Sequence, residues 1–148
     1  GRPRGQDFAA LAAEFAEILR LCREYGECRV EVERMEEARR VKNALESVCV
    51  VARRKLDISD PALLLALLDA YEVTRDEGML QEVLDVVGRN LDRLAVSAES
   101  VKLLACCYYY VEEEECAERA RRMLEELRKL GMGEEELADA ETILEELT

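Results

Sequence analysis

Cysteine, tyrosine and glutamate are the residue types in this sequence that could react or bind a metal. All three occur together in one segment, "LLACCYYYVEEEEC", residues 103–116. Thiolates could act as nucleophiles or bind zinc, and paired carboxylates could act as a general acid and base or bind calcium. The partners that this chemistry needs are missing. The 148 residues include no histidine, which excludes Cys–His and Ser–His pairs and the commonest zinc ligand.

The spacing of the remaining candidates also disfavours a catalytic or metal site. The sequence contains no Cys-x-x-Cys pair and no glycine-rich phosphate loop. The run Glu112 to Glu115 lacks the alternating ligands of a calcium loop and is typical of a solvated turn. With 34 acidic residues, close carboxylates arise by chance. We therefore expect a protein that is not an enzyme and has no cofactor or metal.

The six cysteines are expected to be reduced thiols, and most of them are expected to pack as small core residues. They are Cys22, Cys28, Cys49, Cys106, Cys107 and Cys116. A chain of this length, rich in Leu, Glu, Ala and Arg, can bury a core without disulfides. The sequence thus favours a reducing, intracellular location, either the cytoplasm or the mitochondrial matrix.

The net charge of -13 is unevenly distributed. Residues 1–56 hold 12 Lys/Arg and 10 Asp/Glu, whereas residues 57–148 hold 9 and 24, so the second part carries -15. A field of that sign repels phosphate backbones and anionic lipid. No apolar run reaches the roughly 20 residues of a membrane span. We expect a protein or peptide partner, with basic partners favoured, no nucleic acid and no membrane; a homo-oligomer stays open.

Apolar residues three and four positions apart predict seven helices. Their expected ranges are 7–25, 36–56, 61–74, 78–94, 98–111, 115–130 and 134–147. Asp60 and Ser97 are candidate N-caps, Pro61 suits a first helical position, and "GMG" should end the sixth helix. The stretch "ECRVEVERM", residues 27–35, alternates like a strand, although a frayed helix start is favoured.

Two of these helical pairs resemble each other. Helix 3 aligns with helix 5 at an offset of 37 residues, which pairs Leu67 with Leu104 and Tyr71 with Tyr108. Helix 4 aligns with helix 6 at an offset of 36, as though the turn had lost one residue. Such units predict an all-α fold, a right-handed stack of antiparallel helical hairpins known as an α-solenoid.

The pattern resembles tetratricopeptide-like hairpins over about residues 60–132. Val101, Leu104, Ala105 and Tyr108 match the first-helix positions, and Ala117 matches the small residue of the second helix. Leu80 and Arg121 depart from the pattern, which expects a small residue and an aromatic there. The period near 37 is also similar to the helical repeats of organellar RNA-processing proteins.

The resemblance implies a single helical-repeat domain over residues 1–148. A divergent helix pair at 1–56 precedes repeat units at 60–94 and 97–132, and a capping helix at 134–147 follows them. Carried over position by position, the pattern also implies a concave binding surface. Its residues would be Ala62, Leu65, Asp69, Glu72, Lys102, Cys106 and Tyr109.

Helix 5 is apolar all round, because three consecutive tyrosines span about 200° of a helix. Such a helix must be buried on several sides. We expect Tyr108 in the core and Tyr109 exposed in the groove. In the alternative, helix 1 or 2 fills the groove and the molecule is a closed bundle.

These observations favour a non-catalytic protein–protein interaction module or a scaffold piece of a larger assembly. A second hypothesis is a component of an organellar RNA-processing complex that contacts RNA through the basic face of helix 2, formed by Arg39, Lys42 and Arg53. A third is a de novo designed helical repeat without a natural function.

Overall fold

The computed structural model describes the backbone of residues 4–53 and 61–147, and the side chains of residues 16–52 and 61–146. This part of the chain is all-α, as predicted, with seven α-helices, two short 3-10 helices and no strand. The α-helices are α1 Arg4–Cys28, α2 Met35–Arg53, α3 Pro61–Thr74, α4 Glu77–Arg89, α5 Ala98–Val111, α6 Glu114–Lys129 and α7 Glu134–Leu147. None of the described helices is both long and apolar enough to cross a membrane.

Contacts between Cα atoms divide the chain into two compact units. The first unit is Gly1–Leu56 with Ala66–Gln81, and the second is Asp57–Leu65 with Glu82–Thr148. In the first unit α1 packs against α2. The core of this unit contains Ile18, Leu21, Val41, Leu45, Leu67, Leu68, Tyr71 and Met79, all buried.

The stretch at residues 27–35 forms no strand, although Glu31 has extended backbone angles. α1 continues to Cys28, and a 3-10 helix at Val32–Arg34 leads into α2. Val32 is exposed, so the alternating pattern does not mark a buried face. The Arg34 guanidinium donates two hydrogen bonds of 3.0 Å to the Glu37 carboxylate, which ties the 3-10 helix to the first turn of α2.

In the second unit α5 packs against both α6 and α7, which also contact each other. Its adjacent residues Leu103 and Leu104 are both 0 % exposed, and Cys107 is buried as well. Ala105, about 200° from Leu103 around the helix, is also 0 % exposed, so the buried part of α5 is wider than the single apolar stripe of an ordinary surface helix. The expectation that α5 is buried on more than one side is confirmed.

The expectation that Tyr108 belongs to the core is wrong, because its side chain is only half-buried. Its counterpart Tyr71 is 7 % exposed. The Arg75 guanidinium lies 5.7 Å from the Tyr71 ring centroid, and the Tyr71 hydroxyl donates a 3.0 Å hydrogen bond to Glu77. The residue 37 positions after Arg75 is Glu112, which offers an aromatic ring no cation.

The turns that follow α3 and α5 have the same geometry. Each helix has 14 residues, and the residue immediately after it is a non-glycine residue in the left-handed region: Arg75 at φ 57° and Glu112 at φ 52°. The N–H of each donates to the carbonyl of the tyrosine four residues earlier, at 2.8 Å to Tyr71 and 2.7 Å to Tyr108.

The same 37-residue spacing continues into the second helix of each hairpin. α4 begins at Glu77 and α6 at Glu114. Met79 and Cys116, the first buried side chains of the two helices, are also 37 positions apart. The expected offset of 36, with one residue lost in the turn, is therefore wrong at the start of these helices.

The helix ends follow local side-chain chemistry. Ser97 caps α5 as predicted, since its hydroxyl accepts the Ser100 N–H at 3.1 Å; the other expected cap, Asp60, lies outside the described residues. α4 ends at Arg89 rather than near residue 94. There the Asn90 side-chain amide donates to the Val86 carbonyl at 2.7 Å, and a 3-10 helix at Leu91–Arg93 follows. Gly131, at φ 87°, ends α6 as expected.

Candidate functional site

Three of the predicted binding residues share one face of α5. Lys102 and Cys106 are half-buried, and Tyr109 is 61 % exposed, as the sequence predicts. Spacings of four and three residues place them in one row along the helix. Val111, at 38 % exposure, and the exposed run Glu112 to Glu115 follow at once. The C-terminal end of α5 thus presents an aromatic ring beside an acidic segment.

The exposed ring of Tyr109 is held by its neighbour. The ring centroids of Tyr109 and Tyr110 lie 5.1 Å apart with an interplanar angle of 73°, which is an edge-to-face contact. Such contacts are favourable beyond the area they bury. A side chain restrained in this way loses less conformational entropy when a partner covers it.

The predicted residues of α3 fall into both units. Leu65 is half-buried and belongs to the second unit, whereas Asp69 and Glu72 are exposed residues of the first. Partial desolvation and the Glu72 carboxylate raise the pKa of Asp69. Burial and the charge of Asp69 raise the pKa of Cys22 on α1 to about 11, which indicates that this carboxylate lies close to that thiol.

Four of the six cysteines are core residues, while Cys22 and Cys106 are half-buried. All six are free thiols, and Cys28, Cys49, Cys107 and Cys116 are buried. Burial raises the pKa of Cys107 above its usual range, and burial together with nearby glutamates raises the pKa of Cys116 to about 11. A protonated thiol is a weak nucleophile at neutral pH. Within the described residues, no group of three or more Cys, Asp or Glu side chains could hold a metal ion.

The basic face of α2 is interrupted by carboxylates. Arg39 is exposed and Lys42 is half-buried, while the side chain of Arg53 lies outside the described residues. The Arg34 hydrogen bond lowers the pKa of Glu37, so this carboxylate stays charged beside the arginines of α2.

A second basic cluster, which the sequence analysis missed, lies in the second unit. Four arginines line a cavity of about 430 Å³: Arg89, Arg93, Arg119 and Arg122. They come from the end of α4, the 3-10 helix after it, and α6. Arg89 and Arg93 are four positions apart, and Arg119 and Arg122 are three apart. From the sequence, each pair could have indicated a basic face on a helix. Only the folded structure, which brings the end of α4 to α6, shows that the two faces meet.

Comparison of the chain with protein-family models, curated proteins and solved structures finds no match in any of the three. Function must therefore be inferred from the side chains. Two arrangements stand out: the exposed tyrosine beside the acidic run, suited to binding a protein, and the arginine-lined cavity, suited to binding an anion.

Proposed function

We propose that this chain is a non-catalytic protein-interaction module, a scaffold piece that binds a basic protein segment through the C-terminal end of α5. The observation that carries the proposal is the exposure of Tyr109 three positions before the first of four exposed glutamates. Single exposed apolar residues are common on soluble proteins. An aromatic ring next to a run of four like charges is a more specific combination.

The chemistry of this surface fits a partner rich in arginine or lysine. Tyrosine is among the residues that contribute most to binding when they are desolvated at the centre of an interface. A guanidinium could stack on the Tyr109 ring while a neighbouring cation pairs with Glu113 or Glu115. The edge-to-face contact with Tyr110 holds the ring before binding, which reduces the entropic cost.

The scaffold role is supported by the matching hairpins. α3 and α5 have the same length, and the left-handed residues after them lie 37 positions apart with the same hydrogen bond to a tyrosine carbonyl. Repetition of one hairpin is the construction principle of α-solenoids, which commonly bind proteins along an extended surface. We infer a helical-repeat domain of this type.

The test is an affinity capture from lysate with three baits. The wild-type protein is compared with Tyr109→Ala and with Met35→Ala, a matched control because Met35 is also 61 % exposed and lies far from the acidic run in sequence. Quantitative mass spectrometry should find partners with basic segments that Met35→Ala retains and Tyr109→Ala loses.

The leading partner is then measured directly by fluorescence polarisation. Loss of an aromatic anchor costs about 2 kcal/mol or more, so Tyr109→Ala should weaken binding about 30-fold. Raising the salt concentration should weaken it further, because the glutamates are exposed. Identical affinities for the three proteins would contradict the proposed surface.

A further inference from the structure

Four arginines gather around one cavity of the most acidic part of the chain. Arg89 and Arg93 approach from the end of α4 and the 3-10 helix Leu91–Arg93, and Arg119 and Arg122 lie on one face of α6. The cavity volume is about 430 Å³. Small-molecule sites typically measure about 300–1,000 Å³, so a ligand larger than a bare ion fits.

Two of these guanidiniums are positioned by the backbone. Arg119 donates from Nε to the Leu91 carbonyl at 3.3 Å, and Arg89 donates from Nε to the Asp85 carbonyl at 3.1 Å. Both hydrogen bonds use Nε, so the terminal nitrogens of each guanidinium keep their donors. Arg119 is half-buried, which limits the side-chain freedom that a ligand would have to remove.

The cavity arginines differ from two other arginines of α6 in having no carboxylate partner among the described residues. Arg121 pairs with Glu114 at 3.6 Å, and Arg128 pairs with Glu141. In the part of the chain that the structure describes, none of the four cavity arginines lies within salt-bridge distance of a carboxylate. Arg89, Arg93 and Arg122 are exposed, so their guanidiniums are open to an anion that enters the cavity.

The charge of the lining limits the kind of anion. Asp92, Glu115 and Glu118 also line the cavity, so four positive charges face three negative ones. A net charge of +1 does not suit a polyanion such as RNA. A compact group with about two negative charges and three acceptor oxygens matches the guanidinium forks better, and a phosphate ester has these properties.

We propose that the cavity lined by Arg89, Arg93, Arg119 and Arg122 binds the phosphate group of a phosphomonoester. The site adjoins the proposed protein-binding surface, because Glu115 lines the cavity and also belongs to the acidic run beside Tyr109. The guanidiniums bind the phosphate oxygens, and the remaining volume holds the organic part of the ligand.

The proposal is tested by isothermal titration of the whole chain with inorganic phosphate, O-phosphoserine and a short RNA at constant ionic strength. O-phosphoserine should bind saturably with a dissociation constant of about 1 mM or tighter. Inorganic phosphate should bind more weakly, since it lacks the organic part. Stronger binding of inorganic phosphate would refute the cavity fit, and RNA as the tightest ligand would refute the ligand class.

Two charge-matched double variants locate the site. Arg93→Gln with Arg122→Gln should weaken O-phosphoserine binding at least about tenfold, because each residue loses charge-assisted hydrogen bonds. The control, Arg121→Gln with Lys129→Gln, removes the same charge from α6 at positions that do not line the cavity. It should change the affinity less than about twofold. Equal loss in both variants would overturn the proposal.

A third variant predicts a gain, which a folding defect cannot imitate. Glu115→Gln with Glu118→Gln removes two carboxylates from the lining, both of them exposed. Less repulsion of the phosphate should tighten O-phosphoserine binding by about threefold or more. Unchanged or weaker binding would place the ligand elsewhere.

Discussion

Truncating Leu103 or Leu104 to alanine should destabilise the protein by similar, large amounts. Both side chains are 0 % exposed although they point about 100° apart on α5. Ala105, about 200° from Leu103, is 0 % exposed as well, whereas on an ordinary surface helix one residue of such a pair would face water and its truncation would cost little. Here α6 and α7 both pack against α5, so each leucine loses a full set of contacts.

The magnitude follows from the atoms removed. A leucine-to-alanine change deletes three carbon atoms, worth roughly 2.4 kcal/mol at about 0.8 kcal/mol for each buried methylene. The cavity left in a core that relaxes only partly adds to this, so we expect about 3–5 kcal/mol for each variant. Tyr109→Ala is the control: it removes a larger side chain, but one that is 61 % exposed. This variant should lose little more than the free energy of the edge-to-face contact with Tyr110, about 0.5–1.5 kcal/mol.

Urea unfolding, followed by far-UV circular dichroism, measures all three variants. The free energy of unfolding must decrease with urea concentration at the same slope in every variant. Only then does a shift of the unfolding midpoint report a change in stability. A cost below about 1 kcal/mol for Leu103→Ala, beside a large cost for Leu104→Ala, would show that α5 is buried on one side only. A cost for Tyr109→Ala equal to that of the leucines would mean that Tyr109 is core and unavailable to a partner.

Three further predictions concern the thiols and nucleic acid. Stability should fall as the pH rises from about 9 to 11, because an unfolded thiol ionises near pH 8.5 while folded Cys22 and Cys116 stay protonated to about 11. In urea melts, Cys116→Ala should reduce this loss, and the part that remains comes from the other partly or fully buried thiols. Thiol titration in denaturant, without reductant, should count six free thiols, and four or fewer would contradict the reduced core. Generic RNA should bind with a dissociation constant weaker than about 10⁻⁵ M at physiological salt. Tight binding in a polarisation assay, lost in Arg39→Glu with Arg53→Glu, would favour an RNA-processing role.

Much of the fold could be predicted because the decisive signals are local. α3, α5 and α7 have the bounds that apolar spacing and the cap at Ser97 indicate. α4 is shorter than predicted, since Leu91 and Leu94 continue the apolar pattern past its end. The hydrogen bond of the Asn90 side chain, which the pattern does not include, accompanies the change to a 3-10 helix.

The candidate sites were predictable only where one helix decides them. The exposure of Tyr109 follows from the geometry of three consecutive tyrosines on one helix. The half-burial of Tyr108 does not, because the arginine beside Tyr71 has no equivalent in the second hairpin. The arginine cavity joins residues 26 to 33 positions apart, between Arg93 with Arg119 and Arg89 with Arg122, and so depends on tertiary packing.

The left-handed residues Arg75 and Glu112 leave room for engineering a more thermostable protein. A residue with a Cβ is disfavoured at positive φ by roughly 1–2 kcal/mol, whereas glycine is not. Glu112→Gly should therefore stabilise its hairpin, by less than this amount because glycine loses more conformational freedom on folding, and it removes one charge of the acidic run. Arg75→Gly should gain less, because it also removes the guanidinium from the Tyr71 ring. The two turns have similar φ angles, but replacement by glycine should raise stability more in the turn after α5 than in the turn after α3.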